Sequence, residues 1–127
     1  MTDAPEVALV VDDDEAQREL LTYALGKLGI SAHAVEGPAA ARKWLRHHHP
    51  FLILLDIMMP DINGLVFCRW MRAQPSLRDV PVIVQSALRD EETAADVLEA
   101  GATDFIRKPV RFEELKAKIE RIRTRRG

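Results

Sequence analysis

The sequence predicts an α/β protein built as a (βα)5 doubly wound, five-stranded parallel sheet. Three observations lead there. Strand-length segments recur at 7–11, 31–35, 52–56, 81–85 and 103–106, and each is followed by a stretch of helical periodicity. The segments 7–11 and 52–55 are continuously apolar rather than alternating, the pattern of strands covered on both faces. Strands that alternate with helices require right-handed crossovers, and therefore parallel pairing.

The elements follow in order. The first strand runs out into Asp12-Asp13-Asp14. Asp14 and Gln17 have the spacing of a capping box at the start of the first helix. Leu21, Ala24, Leu25 and Leu28 then form its buried face, and Gly29 supplies the stop. The second helix opens at Gly37-Pro38, where the missing proline N–H costs nothing, and buries Ala41, Trp44 and Leu45. It ends around His47-His48-His49. Consecutive helical residues point in different directions, so these three do not converge on one metal ion, and interaction with the helix C-terminus is expected instead.

The third strand lies between Pro50 on one side and Pro60, Asn63 and Gly64 on the other, and it delivers Asp56 at its end. The third helix is predicted from Asn63 to about Ala73, with Leu65, Cys68 and Met71 on the core face and Val66 and Trp70 beside them. An exposed Trp70 patch would be a partner surface; ordinary packing is the first expectation. Pro75 and Pro81 bracket the connection into the fourth strand. The fourth helix runs from about Asp90 to Ala100 and stops at Gly101. In the fifth, Phe112, Leu115, Ile119 and Ile122 make one apolar stripe, followed by Arg121, Arg123, Arg125 and Arg126, read as a solvated final turn.

At 127 residues the chain has material for one core and not two. A single domain over 1–127 is expected, with its core at about 6–122 and 123–127 as a tail or the start of a linker. Cys68 is the only cysteine, which excludes an intramolecular disulfide. No leader pattern opens the chain and no apolar run reaches spanning length, so a cytoplasmic location with no membrane contact is expected. A formal net charge of −2 argues against direct nucleic-acid binding by this domain, because phosphate neutralisation needs clustered cations.

In open α/β sheets the chemistry sits outside the carboxyl ends of the strands. That crevice gathers Asp12, Asp13, Asp56, Ser86 and the loop after Phe105, which carries Lys108. Carboxylates brought together repel, and a bound cation relieves them. Magnesium suits an all-oxygen set made of Asp13, Asp56 and a backbone carbonyl, whereas no Cys or His stands at these strand ends to favour zinc. An Asp56 oxygen beside such a cation can attack a phosphoryl group and form an acyl phosphate, with a lysine spreading the charge and Ser86 donating a hydrogen bond.

Four segments now carry a resemblance: Val10-Val11-Asp12-Asp13-Asp14; Leu55-Asp56-Ile57-Met58-Met59-Pro60-Asp61-Ile62-Asn63-Gly64; Pro81-Val82-Ile83-Val84-Gln85-Ser86-Ala87; and Gly101-Ala102-Thr103-Asp104-Phe105-Ile106-Arg107-Lys108-Pro109. Together they resemble the signatures of receiver domains from two-component response regulators, over nearly the whole chain. The resemblance implies a flavodoxin-like strand order 2-1-3-4-5. It implies that Asp56 accepts a phosphoryl group from a sensor histidine kinase or a histidine phosphotransfer protein. It further implies Mg2+, replaceable by Mn2+, on Asp12, Asp13, Asp56 and the Met58 backbone carbonyl. Ser86 and Ala87, Lys108 and Phe105 match the phosphate-binding and switch positions, and Lys108-Pro109 matches a cis peptide bond. Phe105 stands where a tyrosine is frequent, and it lacks the hydroxyl through which a tyrosine bonds to a partner.

The implied activity is a signalling switch without catalytic turnover beyond self-phosphorylation and slow autodephosphorylation. Its output runs through the face formed by the fourth helix, fifth strand and fifth helix, toward an output domain or downstream protein, with homodimerisation on phosphorylation as an option. Met58 and Leu88 are apolar and cannot orient a hydrolytic water as polar side chains do, so a long-lived phosphoryl group is expected. Two other classes compete. A hydrolase or phosphatase with an Asp nucleophile would turn over substrate, and a flavodoxin-like flavin binder would need neutral or basic phosphate loops where this chain has Asp12-Asp13-Asp14.

Overall fold

The computed structural model describes residues 6–57, 64–86 and 91–126. Five strands, β1 (Val7–Val11), β2 (Ser31–Val35), β3 (Leu52–Asp56), β4 (Val82–Ser86) and β5 (Asp104–Arg107), form one sheet in the order β2-β1-β3-β4-β5. Every neighbouring pair is parallel. The helices are α1 (Glu15–Lys27), α2 (Pro38–Leu45), α3 (Gly64–Ala73), α4 (Glu91–Glu99) and α5 (Phe112–Arg126), and a single 3-10 turn at Pro75–Leu77 follows α3.

Three strands lie where the sequence predicts them, and β4 and β5 begin one residue later. The Val82 N–H is taken by the Thr103 hydroxyl at 3.0 Å, while the Thr103 N–H donates to the Val82 carbonyl at 2.8 Å. This pair closes the entry to both strands, and the ladder starts beyond it. At the far end the Lys108 N–H donates to the Ser86 carbonyl at 2.8 Å, which keeps Ser86 inside β4.

Two apolar layers cover the sheet. Ala8, Val10, Leu52, Leu54, Ile83 and Ile106 pack with Leu21 and Leu25 of α1 and Leu115 and Ile119 of α5. Leu9, Val11, Ile53, Leu55, Val82 and Val84 pack with α2, α3 and α4 on the other face. The apolar run of β3 thus feeds both layers by strict alternation, which is why it has no polar residue before Asp56. Each such side chain contributes about 1.5–3 kcal/mol by leaving water.

Several side chains differ from their predicted roles. Phe67 is fully buried in α3 with Cys68 and Met71, whereas Leu65 is only partly covered. Trp70 is half-buried, stacked on Phe67 at 5.7 Å with the Arg42 guanidinium 5.1 Å from its ring centre. Trp44 is likewise half-buried, lying between His33 and His48. His48 Nδ1 lies 2.9 Å from the Trp44 carbonyl, so this histidine does sit on the end of α2. Asp14 caps α1 through the Ala16 N–H at 3.0 Å, but the predicted box is not closed: the Gln17 side chain reaches across to Gln85.

Arg123 is no solvated terminal charge. It pairs with Glu6 at 2.7 Å and donates to the Leu28 carbonyl at 2.9 Å, joining α5 to the start of β1 and the end of α1. Arg72 of α3 does similar work, donating to the carbonyls of Gly101, Leu77, Arg78 and Val80 at 2.8–3.1 Å. Asn63 and Asp90, predicted helix starts, lie outside the described residues. Among the described residues no helix is long and apolar enough to cross a membrane.

Candidate functional site

Strand register builds the site. Val11 pairs with Leu55 and Asp56 with Gln85, so the residue after β1, Asp12, falls beside Asp56 at the carboxyl edge of the sheet. Asp12 is fully buried and Asp56 nearly so, while Asp13 is exposed at the rim. One carboxylate oxygen from each of the three lies within 4.8 Å of the others. Lys108, carried over the end of β5, places Nζ 3.3 Å from Asp56 Oδ2 and 3.5 Å from Asp12 Oδ2.

Local hydrogen bonds hold the acidic turn. The Asp14 N–H donates to Asp12 Oδ1 at 2.9 Å, and Arg18 Nη1 donates to the Asp12 carbonyl at 2.8 Å. Burial pushes the Asp12 carboxyl above its ordinary value of 3.8, and the neighbouring Asp56 charge adds to the rise; the Asp14 N–H and Lys108 pull the other way. A divalent cation would relieve this repulsion, and the donor set fits it. All three side chains offer hard oxygens, two of them from a buried floor and one from the mouth.

Ser86 is fully buried at the end of β4, and Phe105 of β5 is half-buried against the layer that holds α3 and α4. The Lys108–Pro109 peptide bond is cis. Met58 and Ala87, named from the sequence as metal and phosphate contacts, lie outside the described residues, as does Leu88.

Two neighbours of the site escaped the sequence reading. Gly64, at the first turn of α3, donates its N–H to the Ile57 carbonyl at 3.1 Å, and a Cβ there would stand 2.7 Å from Ile57 Cα and 2.9 Å from the Asp56 carbonyl. The glycine is what lets α3 close on the strand end that carries Asp56. Gln85, the register partner of Asp56 and the chain neighbour of Ser86, is buried and accepts from Gln17 Nε2 at 3.2 Å. A polar residue directly after the apolar run Val82-Ile83-Val84 is the one signal in the sequence for it.

Comparison with known proteins bears on the family and the fold. The family model described as "Response regulator receiver domain" matches residues 8–120. The transcriptional regulatory protein GltR of Pseudomonas aeruginosa is 38% identical over 112 residues, covering 88% of this chain and 46% of the relative. The DNA-binding response regulator MtrA of Mycobacterium tuberculosis is 38% identical over 119 residues, 94% of this chain and 50% of the relative. The chain therefore spans about half the length of these curated relatives. A crystal structure of a response regulator receiver protein from Pseudomonas putida superposes with a TM-score of 0.86 at 33% identity, covering 94% of this chain and 99% of that one.

Proposed function

The chain belongs to the response regulator receiver domain family, and on that premise we propose that it is a phosphorylation-dependent switch with Asp56 as the phosphoryl acceptor. The observation that carries this reading is the convergence of Asp12, Asp13 and Asp56 within 4.8 Å, with Lys108 3.3 Å from Asp56. In the proposed reaction an Asp56 oxygen attacks the phosphorus of a phosphohistidine on a sensor kinase or phosphotransfer protein. The O–P bond forms, the P–N bond breaks, and the imidazole leaves and takes up a proton. Magnesium or manganese held by Asp12, Asp13, Asp56 and the Met58 carbonyl would neutralise charge on the carboxylates and the transferring group.

This chain's own groups then reorganise. Lys108 transfers its charge from Asp56 to a phosphoryl oxygen, and the Ser86 hydroxyl donates to another. Ser86 moves toward the phosphate, and Phe105 turns into the space it leaves. The face formed by α4, β5 and α5 is thereby biased between two states. That face would address an output domain or a separate protein; homodimerisation through it follows the same logic. The domain acts in the cytoplasm as a single receiver with its core at about 6–122, without nucleic-acid contact of its own and without substrate turnover.

Incubation with acetyl phosphate and Mg2+, read by intact-mass spectrometry, tests the assignment. One phosphoryl group should add to the parent, none to Asp56→Asn, and none to the parent in excess EDTA. Equal labelling of Asp56→Asn would remove Asp56 from the role. The phosphoryl group should also be long-lived, because Met58 and Leu88 bring no polar group to orient water. Met58→Asn with Leu88→Glu should hasten its loss, and an unchanged decay would dispose of that explanation.

A further inference from the structure

Charge is unevenly spread along this chain. Over 37–55 and 62–78 it has Arg42, Lys43, Arg46, Arg69, Arg72 and Arg78 and no Asp or Glu, although its formal net charge is −2. These segments hold α2, α3 and the 3-10 turn, so one layer of the fold is free of acid. Such a surface concentrates anions around it. Within it one arginine stands apart. Four described arginines are partly buried: Arg18, Arg42, Arg72 and Arg123. Arg18 donates to the Asp12 carbonyl, Arg72 to four carbonyls, and Arg123 to Glu6 and the Leu28 carbonyl. The Arg42 Nε is buried with no hydrogen-bond partner among the described residues, and its guanidinium carbon lies 5.1 Å from the centre of the Trp70 ring. A ring face attracts the charge but offers no lone pair to the N–H groups. A buried donor left open calls for an acceptor from outside the chain.

Arg42 lines a groove of about 420 Å³ between the ends of α2 and α3 and the turn that follows. Arg46, one turn along α2, lies beside it, with Trp70, Gln74 and Ser76 on the other side. Leu45 and Leu77, both buried, give the groove an apolar base, and no acid lines it. Among the described residues neither arginine has an ion pair. Like charges four residues apart on a helix repel, so the pair costs α2 stability unless an anion sits between them. The wall behind Arg42 is firm. Trp70 stacks on the buried Phe67 at 5.7 Å, and its carbonyl accepts from Gln74 Nε2 at 3.1 Å. The groove is also remote from Asp56. Gly64 begins α3 against the Asp56 strand end, and Gln74 follows the other end of that helix, about 15 Å away at the helical rise.

We propose that this groove is a second ligand site, which takes the phosphate group of a small phosphomonoester. The Arg42 fork binds two of its oxygens, Arg46 supplies the second charge, and the Ser76 hydroxyl donates to a third oxygen. Two guanidiniums balance a dianion, whereas a single carboxylate would leave one of them uncompensated. The volume falls within the range of small-molecule pockets. A concave wall with one buried donor, held in place before binding, suits a compact group rather than an extended polyanion. Nothing in this inference depends on Asp56 being the phosphoryl acceptor.

Two-dimensional NMR of the arginine Nε–H and tryptophan indole N–H groups tests it. Asp56→Asn protein in EDTA, which takes the strand-end carboxylates out of consideration, is titrated with glycerol 2-phosphate, and with sodium chloride and sodium acetate at equal ionic strength. The Arg42 Nε–H and the Trp70 indole N–H should shift and saturate with the phosphomonoester and not with chloride, and acetate should bind about tenfold more weakly. Read at the Trp70 indole, Arg42→Gln and Arg42→Lys should each weaken binding by about tenfold or more. Lysine keeps the charge and a stem against Trp70 but not the fork, so its loss of binding is not a folding effect. Arg46→Gln should weaken binding roughly threefold to tenfold. Arg69→Gln, exposed on α3 and outside the groove, should leave it within about twofold. A phosphomonoester that shifts Arg42 Nε–H no more than chloride does would overturn the proposal. So would an equal loss in Arg69→Gln, the sign of diffuse charge alone, or tighter binding of a Glu-rich peptide, the sign of a protein-docking surface.

Discussion

Lys108 Nζ stands 3.3 Å from Asp56 and 3.5 Å from Asp12, so one partly exposed ammonium serves two buried carboxylates. It occupies the electrostatic position a metal ion would share. Lys108→Met should therefore lower the unfolding midpoint of the metal-free protein, because the two acids lose the cation they share. Added Mg2+ should raise the midpoint of the variant more than that of the parent. Thermal unfolding with and without Mg2+ checks both, and an equal Mg2+ effect in the two proteins would contradict the competition.

Asp12 has its carboxyl pushed upward, by burial first and by Asp56 second. A group whose folded value exceeds its unfolded one favours the folded state while protonated and loses that contribution as pH rises through the folded value. Ionised Asp12 accordingly costs stability near neutrality. Asp12→Asn should unfold at a higher temperature than the parent at pH 7 without metal, and the gap should close as pH falls toward 4. The same substitution should abolish the Mg2+ effect on the midpoint. A gap that widens on acidification would reverse the sign of the argument.

Gly64 has no room for a side chain, because the atoms it would strike belong to the backbone of Ile57 and Asp56. Gly64→Ala should cost roughly 1–3 kcal/mol, the range of overpacking. Urea unfolding measures it. The displaced strand end should also slow labelling of Asp56 by acetyl phosphate, and a stable, fully active Gly64→Ala protein would show that α3 can move away freely.

Arg72 gathers four carbonyls around one guanidinium, and the Gly101 backbone, at φ +110°, lies against its side chain. A lysine cannot reproduce the planar fork. Arg72→Lys should lose about 1.5–3 kcal/mol, since hydrogen bonds to a charged donor are broken and partly buried carbonyls are left open. The urea midpoint should fall while Asp56 labelling in the folded protein persists. A midpoint equal to that of the parent would show that water replaces the guanidinium at no cost.

How far the chain could be read in advance varies with the range of the interaction. Apolar runs and helical stripes announced β1, β3 and α5, because each pattern is completed within a few residues of itself. Asp12, Asp13 and Asp56 were legible as one cluster because parallel strands must open at the same edge. The misreadings share a cause. Gln17 has the spacing of a local cap yet bonds to Gln85, 68 residues away, and Arg123 looks like a solvated end yet pairs with Glu6, 117 residues away. Phe67, rather than the predicted Leu65, takes the core face of α3, since a helix with apolar residues on several sides leaves that face to be chosen by its neighbours.

By itself, then, the amino-acid order determined the five βα units, their parallel sheet and the convergence of acid at its carboxyl edge. Periodicity and strand-end placement are properties of short segments, and burial of apolar surface enforces them with little choice. Only the tertiary structure decided which polar side chains meet: Lys108 between Asp12 and Asp56, Arg72 on Gly101, Gln17 on Gln85. Those contacts depend on strand register and helix rotation to within an ångström or so. No local pattern encodes that, and the free energy choosing among them is shared by the whole core.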